Sequence, residues 1–92
     1  MTPPKFRLEV SYNDTTGEPT AAYVRVRDGK PAQTKEIKEG AVFADYGADG
    51  SLLGIELLEP CGIEILERVS EKEPEAVRQF LRHGVRKEMI FA

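Results

Sequence analysis

Between residues 5 and 58 apolar and polar positions alternate. Phe6, Leu8, Val10 and Tyr12 fall on one face of an extended strand, and Lys5, Arg7, Glu9 and Ser11 on the other. Residues 22–27 repeat the pattern, with Ala22, Val24 and Val26 against Tyr23, Arg25 and Arg27, and the turn-rich stretch NDTTGEPT lies between the two runs. The pair predicts a hairpin with a long loop. Asp28-Gly29 then breaks the chain, AQTKEI reads as a short polar edge strand, and KEG turns it into AVFADY. After the Gly47 to Gly50 turn, SLLGIELL carries the apolar face onward through Leu53, Ile55 and Leu57. The pattern predicts an antiparallel meander of four to five strands.

The second face of that sheet is less polar than water favours: Tyr23, Phe43, Leu52 and Leu58 fall there beside Arg25, Arg27, Asp45 and Glu56. Pro60 and Gly62 end the sheet, and the period changes. Ile63, Leu66 and Val69 suit a short helix, although GIEILE nearly repeats the strand sequence GIELLE, so a strand stays open for residues 63–69. Further on, Ser70 and Glu73 have the spacing of a capping box, or Glu73 precedes Pro74 at a first helical position. Val77, Phe80 and Leu81 then form a stripe that Gly84 stops, which predicts a helix from about residue 71 to residue 83. The tail ends on Met89, Ile90 and Phe91, which need a groove on this chain or on a neighbour. The reading is α+β: a sheet core over 5–58, a helical C-terminal extension over 59–92 with one or two short helices, and a single domain over 1–92.

Composition narrows the class. At 92 residues, a second domain would be too short to bury a core. With 32% charged and 40% apolar residues the chain is expected to fold. Its net charge of −3, from 13 Lys+Arg against 16 Asp+Glu, provides no global positive field for nucleic acid or anionic lipid. The start MTPPKFRLEV has no apolar run fit for a signal peptide, and no segment approaches a membrane span, so a cytoplasmic location is expected. A lone cysteine, Cys61, excludes an internal disulfide framework.

Candidate chemistry is sparse. DYGADGSLLGIE offers oxygen ligands at positions 1, 5, 7 and 12 of a calcium loop (Asp45, Asp49, Ser51, Glu56), with Gly50 at position 6. Positions 3 and 9 are Gly47 and Leu53, and predicted strands rather than helices flank the loop. The stretch therefore reads as a hairpin turn at Asp49-Gly50, with no metal expected. Asp45 and Glu56 could face one another across that hairpin as acid and base, but no nucleophile or histidine accompanies them. His83 stands at a helix C-terminus, where the helix dipole favours an imidazolium, and Cys61 reads as a small packed residue. No catalytic residue and no cofactor are expected. The basic series Arg78, Arg82, Arg86 and Lys87 could grip phosphate or an acidic partner. Six glutamates lie between residues 53 and 73, however, and can neutralise the series.

Residues 19–58 resemble the small bacterial and archaeal family catalogued as domain of unknown function 2283. The resemblance rests on Tyr23-Val24, Asp28-Gly29-Lys30, Thr34 to Ile37, Gly40, Asp45-Tyr46, Asp49-Gly50 and Gly54 to Leu58, in that order and at the right gaps. It implies a small antiparallel sheet and no established activity. Some relatives resemble neighbours of toxin-type genes, which implies an antitoxin-like binding role by association. At Gly47 the chain departs from the family pattern, in which acidic residues are frequent there.

The functional expectation is a non-enzymatic interaction module that buries Tyr23, Phe43, Leu52, Leu58, Met89, Ile90 and Phe91 against a second copy or a protein partner. A two-fold homodimer is the expected form. The alternative is a regulatory or antitoxin-like protein whose Arg78, Arg82, Arg86 and Lys87 contact an acidic partner or nucleic acid, with the lack of interleaved aromatics counting against single strands. A small enzyme comes third, and a membrane partner is not expected.

Overall fold

The computed structural model describes residues 3–59 and 61–85, and the backbone of Ile90–Phe91. Arg86, Lys87 and Met89, and the side chains of Ile90 and Phe91, lie outside the described residues. Five strands form one antiparallel sheet: β1 (Arg7–Tyr12), β2 (Pro19–Arg25), β3 (Gln33–Lys38), β4 (Val42–Tyr46) and β5 (Leu52–Leu57). They lie in the order β1-β2-β5-β4-β3. The order is meander-like with one crossover: the chain leaves β2, passes to the far edge as β3, and returns through β4 so that β5 closes against β2. A two-residue strand β6 (Cys61–Gly62) leads into the helices α1 (Ile63–Val69) and α2 (Glu75–His83). Last comes β7 (Ile90–Phe91), which pairs parallel with β6. The α+β class expected from the period change is the one observed, and residues 63–69 resolve to helix.

Local chemistry explains the turns. In the β1–β2 loop, the Asn13 side-chain oxygen accepts hydrogen bonds from the amides of Thr15 (2.8 Å) and Thr16 (3.0 Å), and Gly17 takes a positive φ of 75°. Between β2 and β3, the amides of Val26 and Arg27 both donate to the Leu53 carbonyl, and the Ala32 amide donates to the Tyr46 carbonyl. These bonds tie the crossover to the end of the β4–β5 hairpin.

The core lies on one face of the sheet. Ala22 and Val24 of β2, Val42 and Ala44 of β4, and Ile55 and Leu57 of β5 are buried together with Leu66 of α1 and Val77 and Leu81 of α2. Leu8 and Val10 of β1 pack at its margin, and Phe6 stacks on Phe80 with centroids 4.4 Å apart. Burying side chains of this kind contributes roughly 1.5–3 kcal/mol each, which is what holds two short helices on the sheet.

Three local expectations change. Leu52, expected on the second face, is wholly buried in the core. The register passes from Asp45↔Gly54 to Tyr46↔Leu52, so β5 carries one residue more than β4 at that point. Such a bulge resets the alternation. Arg27, also expected on that face, is fully buried. Its Nη1 donates to the Leu52 carbonyl at 2.5 Å and lies 2.9 Å from Glu73 Oε1. The second helix starts at Glu75 instead of near residue 71, with Pro74 as its N-cap and no side-chain cap. Neither partner of the expected capping box is available: the Ser70 hydroxyl donates back to the Leu66 carbonyl at 2.8 Å, and Glu73 pairs with Arg27. No helix among the described residues is long and apolar enough to cross a membrane.

Candidate functional site

The face of the sheet opposite the helices gathers most of the sequence candidates. Strand register places Arg7, Arg25, Gly54, Asp45 and Thr34 in one row across all five strands, and Glu9, Tyr23, Glu56, Phe43 and Glu36 in the next. Tyr23, Arg25, Phe43 and Asp45 are half-buried, Glu56 is exposed, and Leu58, just past β5, is 43% exposed. Period 2 thus delivers Tyr23, Phe43 and Leu58 to the second face as expected.

Tyr23 organises the face. A Cβ on Gly54 would sit 2.8 Å from the Tyr23 Cε1, so glycine there lets the ring lie flat across β5. The ring spans to β4, where the Tyr23 hydroxyl donates to Asp45 Oδ2 at 2.9 Å. The other Asp45 oxygen accepts from the Thr34 hydroxyl of β3 at 2.5 Å. On the near side the Arg25 guanidinium lies over the ring, 5.4 Å from its centroid. Burial, then the hydrogen bond to the Asp45 carboxylate, pushes the Tyr23 phenol up to about 12. A phenol so raised is a neutral donor at ordinary pH, suited to bracing the face rather than to proton abstraction. Asp45 stands opposite Gly54 and Glu56 opposite Phe43, so the two carboxylates are diagonal and do not face one another across the hairpin.

The Asp45–Glu56 stretch is a strand-flanked hairpin. The Gly47 amide donates to the Ser51 carbonyl at 2.9 Å, and Gly50 takes a φ of 83°. Asp49 Oδ1 accepts from the Ser51 amide (3.0 Å) and hydroxyl (2.6 Å), and these two donors lower its carboxyl below the usual range. The Asp45 and Asp49 carboxylates are thus turned to the hydroxyls of Tyr23, Thr34 and Ser51 and to the Ser51 amide. Cys61 is buried, and burial raises its thiol. His83 lies exposed in the last turn of α2.

The described arginines of the basic series sit on α2 beside carboxylates. Arg78 meets Glu75 at 2.5 Å, and Arg82 lies 3.7 Å from Glu67 of α1. Both line a cavity of about 290 Å³ between the helices, with Arg68, Glu67 and Glu71. Glu67 of the acidic block thus lies against Arg82, while Arg78 is met by Glu75 of its own helix.

A second, larger cavity of about 790 Å³ was not legible in the sequence. It opens between β3, the β4–β5 turn and the end of α1, lined by Lys35, Ile37 and Tyr46 on one side and Arg68, Val69 and Lys72 on the other. Lys35 lies over the Tyr46 ring, 5.2 Å from its centroid. Its walls come from segments some thirty residues apart in sequence, and a periodicity argument does not join them.

The stretch from β2 through β5 is also where the chain resembles known sequences. Residues 20–60 match the model of a family described as "Protein of unknown function (DUF2283)". The match is a little under half of the chain and leaves β1 and both helices outside it. No curated protein and no solved structure matches the chain.

Proposed function

We propose that the protein is a non-enzymatic interaction module that self-associates through the face of its sheet opposite the helices. The observation that supports this reading is the uneven covering of the sheet. Both helices pack on one face, while Tyr23, Phe43 and Leu58 stay in contact with water on the other. A second copy removes the same patch from both chains with one contact. The tail, a second candidate for the interface, has its Ile90–Phe91 backbone paired with Cys61–Gly62 of its own chain, which shifts the weight of the proposal to the sheet. The bracing of Tyr23 by Asp45, Thr34 and Arg25 fixes the patch before contact, and a pre-ordered surface loses less entropy on binding.

The face carries Arg7 and Arg25 against Glu9, Glu36, Glu56 and Asp45, so two copies repel modestly, and added salt should strengthen the association. Amide NMR spectra across a dilution series test the surface. Shifts confined to the strands around Tyr23, Phe43, Glu56 and Leu58 support it, and shifts confined to α1 and α2 refute it.

A further inference from the structure

Among the described residues, Arg25, Lys30, Lys35, Arg68 and Lys72 have no carboxylate partner, whereas Lys5, Arg7, Arg27, Lys38, Arg78 and Arg82 each have one. Three of these five cations, Lys35, Arg68 and Lys72, line the larger cavity. Two carboxylates share its wall, Glu71 and Glu73, and Glu73 is already committed to Arg27. A chain of net charge −3 thus concentrates unneutralised positive charge in one groove. Ile37, Tyr46 and Val69 give the groove an apolar floor beneath those charges.

The groove runs beside a free sheet edge. Among the described residues, β3 pairs with β4 alone, and Gln33 to Glu36 are exposed. Its N–H and C=O groups on the outer side are a template for one more strand. The side chains of Lys35 and Ile37 line the groove. In an added strand every second residue would point the same way, toward Arg68 and Lys72.

We infer that this groove takes an extended acidic segment of a partner protein, added as a sixth strand on β3 with its alternate carboxylates toward Lys35, Arg68 and Lys72. The site is separate from the self-association face and does not depend on it. Charge complementarity selects the partner, and the free edge selects its extended form.

Fluorescence anisotropy on the full chain tests this with a labelled peptide of alternating glutamate and threonine. Its glutamates share one face when extended, and a glutamine–threonine counterpart serves as comparison. The expected result is saturable binding of the glutamate peptide that weakens with salt and is at least tenfold tighter than that of the glutamine peptide. Lys35→Glu, Arg68→Glu and Lys72→Glu should each weaken it roughly two- to five-fold or more. Lys5→Glu, next to β1 at the opposite sheet edge and with the same change in net charge, should leave it within about two-fold. All four positions are exposed, and melting curves confirm that the variants fold. Equal binding of the two peptides, or equal loss in the Lys5 and groove variants, overturns the inference. Unchanged binding of a peptide N-methylated at alternate amides overturns the strand addition, as does full competition by inorganic phosphate at matched ionic strength.

Discussion

Gly50 and Tyr23 show how single residues fix the sheet. At Gly50 a Cβ would meet nothing within 4 Å, yet φ is 83°, so the cost of a side chain there is backbone strain alone. Gly50→Val should lower stability by about 1 kcal/mol or more in thermal melts, and an unchanged melting temperature would contradict the turn geometry. Calorimetry with millimolar calcium should give no saturable heat, because strands flank the loop and Asp45 and Asp49 accept from neighbouring hydroxyls. Tyr23 carries a pH signature. Its phenol is raised from 10.0 to about 12, so folding favours the protonated form, and the stability it contributes is complete below pH 10.0. That contribution is lost as pH rises toward about 12. Tyr23→Phe should flatten the fall in urea midpoint across that window, and an identical fall in the variant would contradict the bracing role. The aromatic character of the face was legible from alternation. The Tyr23–Asp45 bond was not, because it crosses a strand interposed between them in space that comes after both in sequence.

Among the elements, the segment joining α1 to α2 depends on one buried contact. Glu73 lies 2.9 Å from Arg27 and accepts from the Leu52 amide at 3.4 Å, so it links the helical layer to the start of β5. Removing Glu73 takes a carboxylate from beside the buried Arg27 guanidinium and an acceptor from the Leu52 amide, and weakening a buried pair on one side is costly. Glu73→Ala should cost about 3 kcal/mol in urea denaturation, and the double change Arg27→Met with Glu73→Leu should cost less than the single one. An unaltered midpoint for Glu73→Ala would show that the pair holds nothing. The sequence pattern identified every strand of the sheet and the stripe of α2, because periods of 2 and 3.6 are intrinsic to the chain. It misplaced Leu52, Arg27 and the start of α2 for a common reason. A bulge and a buried ion pair are decided by a neighbouring element, and a one-residue reset moves a side chain to the other face.

For the whole molecule, strand order was the least legible feature. Alternation says which residues share a face but not that β5 inserts between β2 and β4. That insertion places Tyr23 beside Glu56 and Gly54, with Phe43 one strand further, and so assembles the open face from three separate stretches. The basic series was visible in sequence, and Glu75 pairs with Arg78 within α2, while the approach of Glu67 to Arg82 needed the helix pairing. Light scattering at tens of micromolar decides whether the open face binds a second copy. The full chain should have twice the chain mass, rising in occupancy with salt, and Phe43→Lys, placed at the half-exposed centre of the face, should return it to the mass of one chain. A full-length protein that stays at the mass of one chain, or a Phe43→Lys variant that remains dimeric, would rule out self-association through this face.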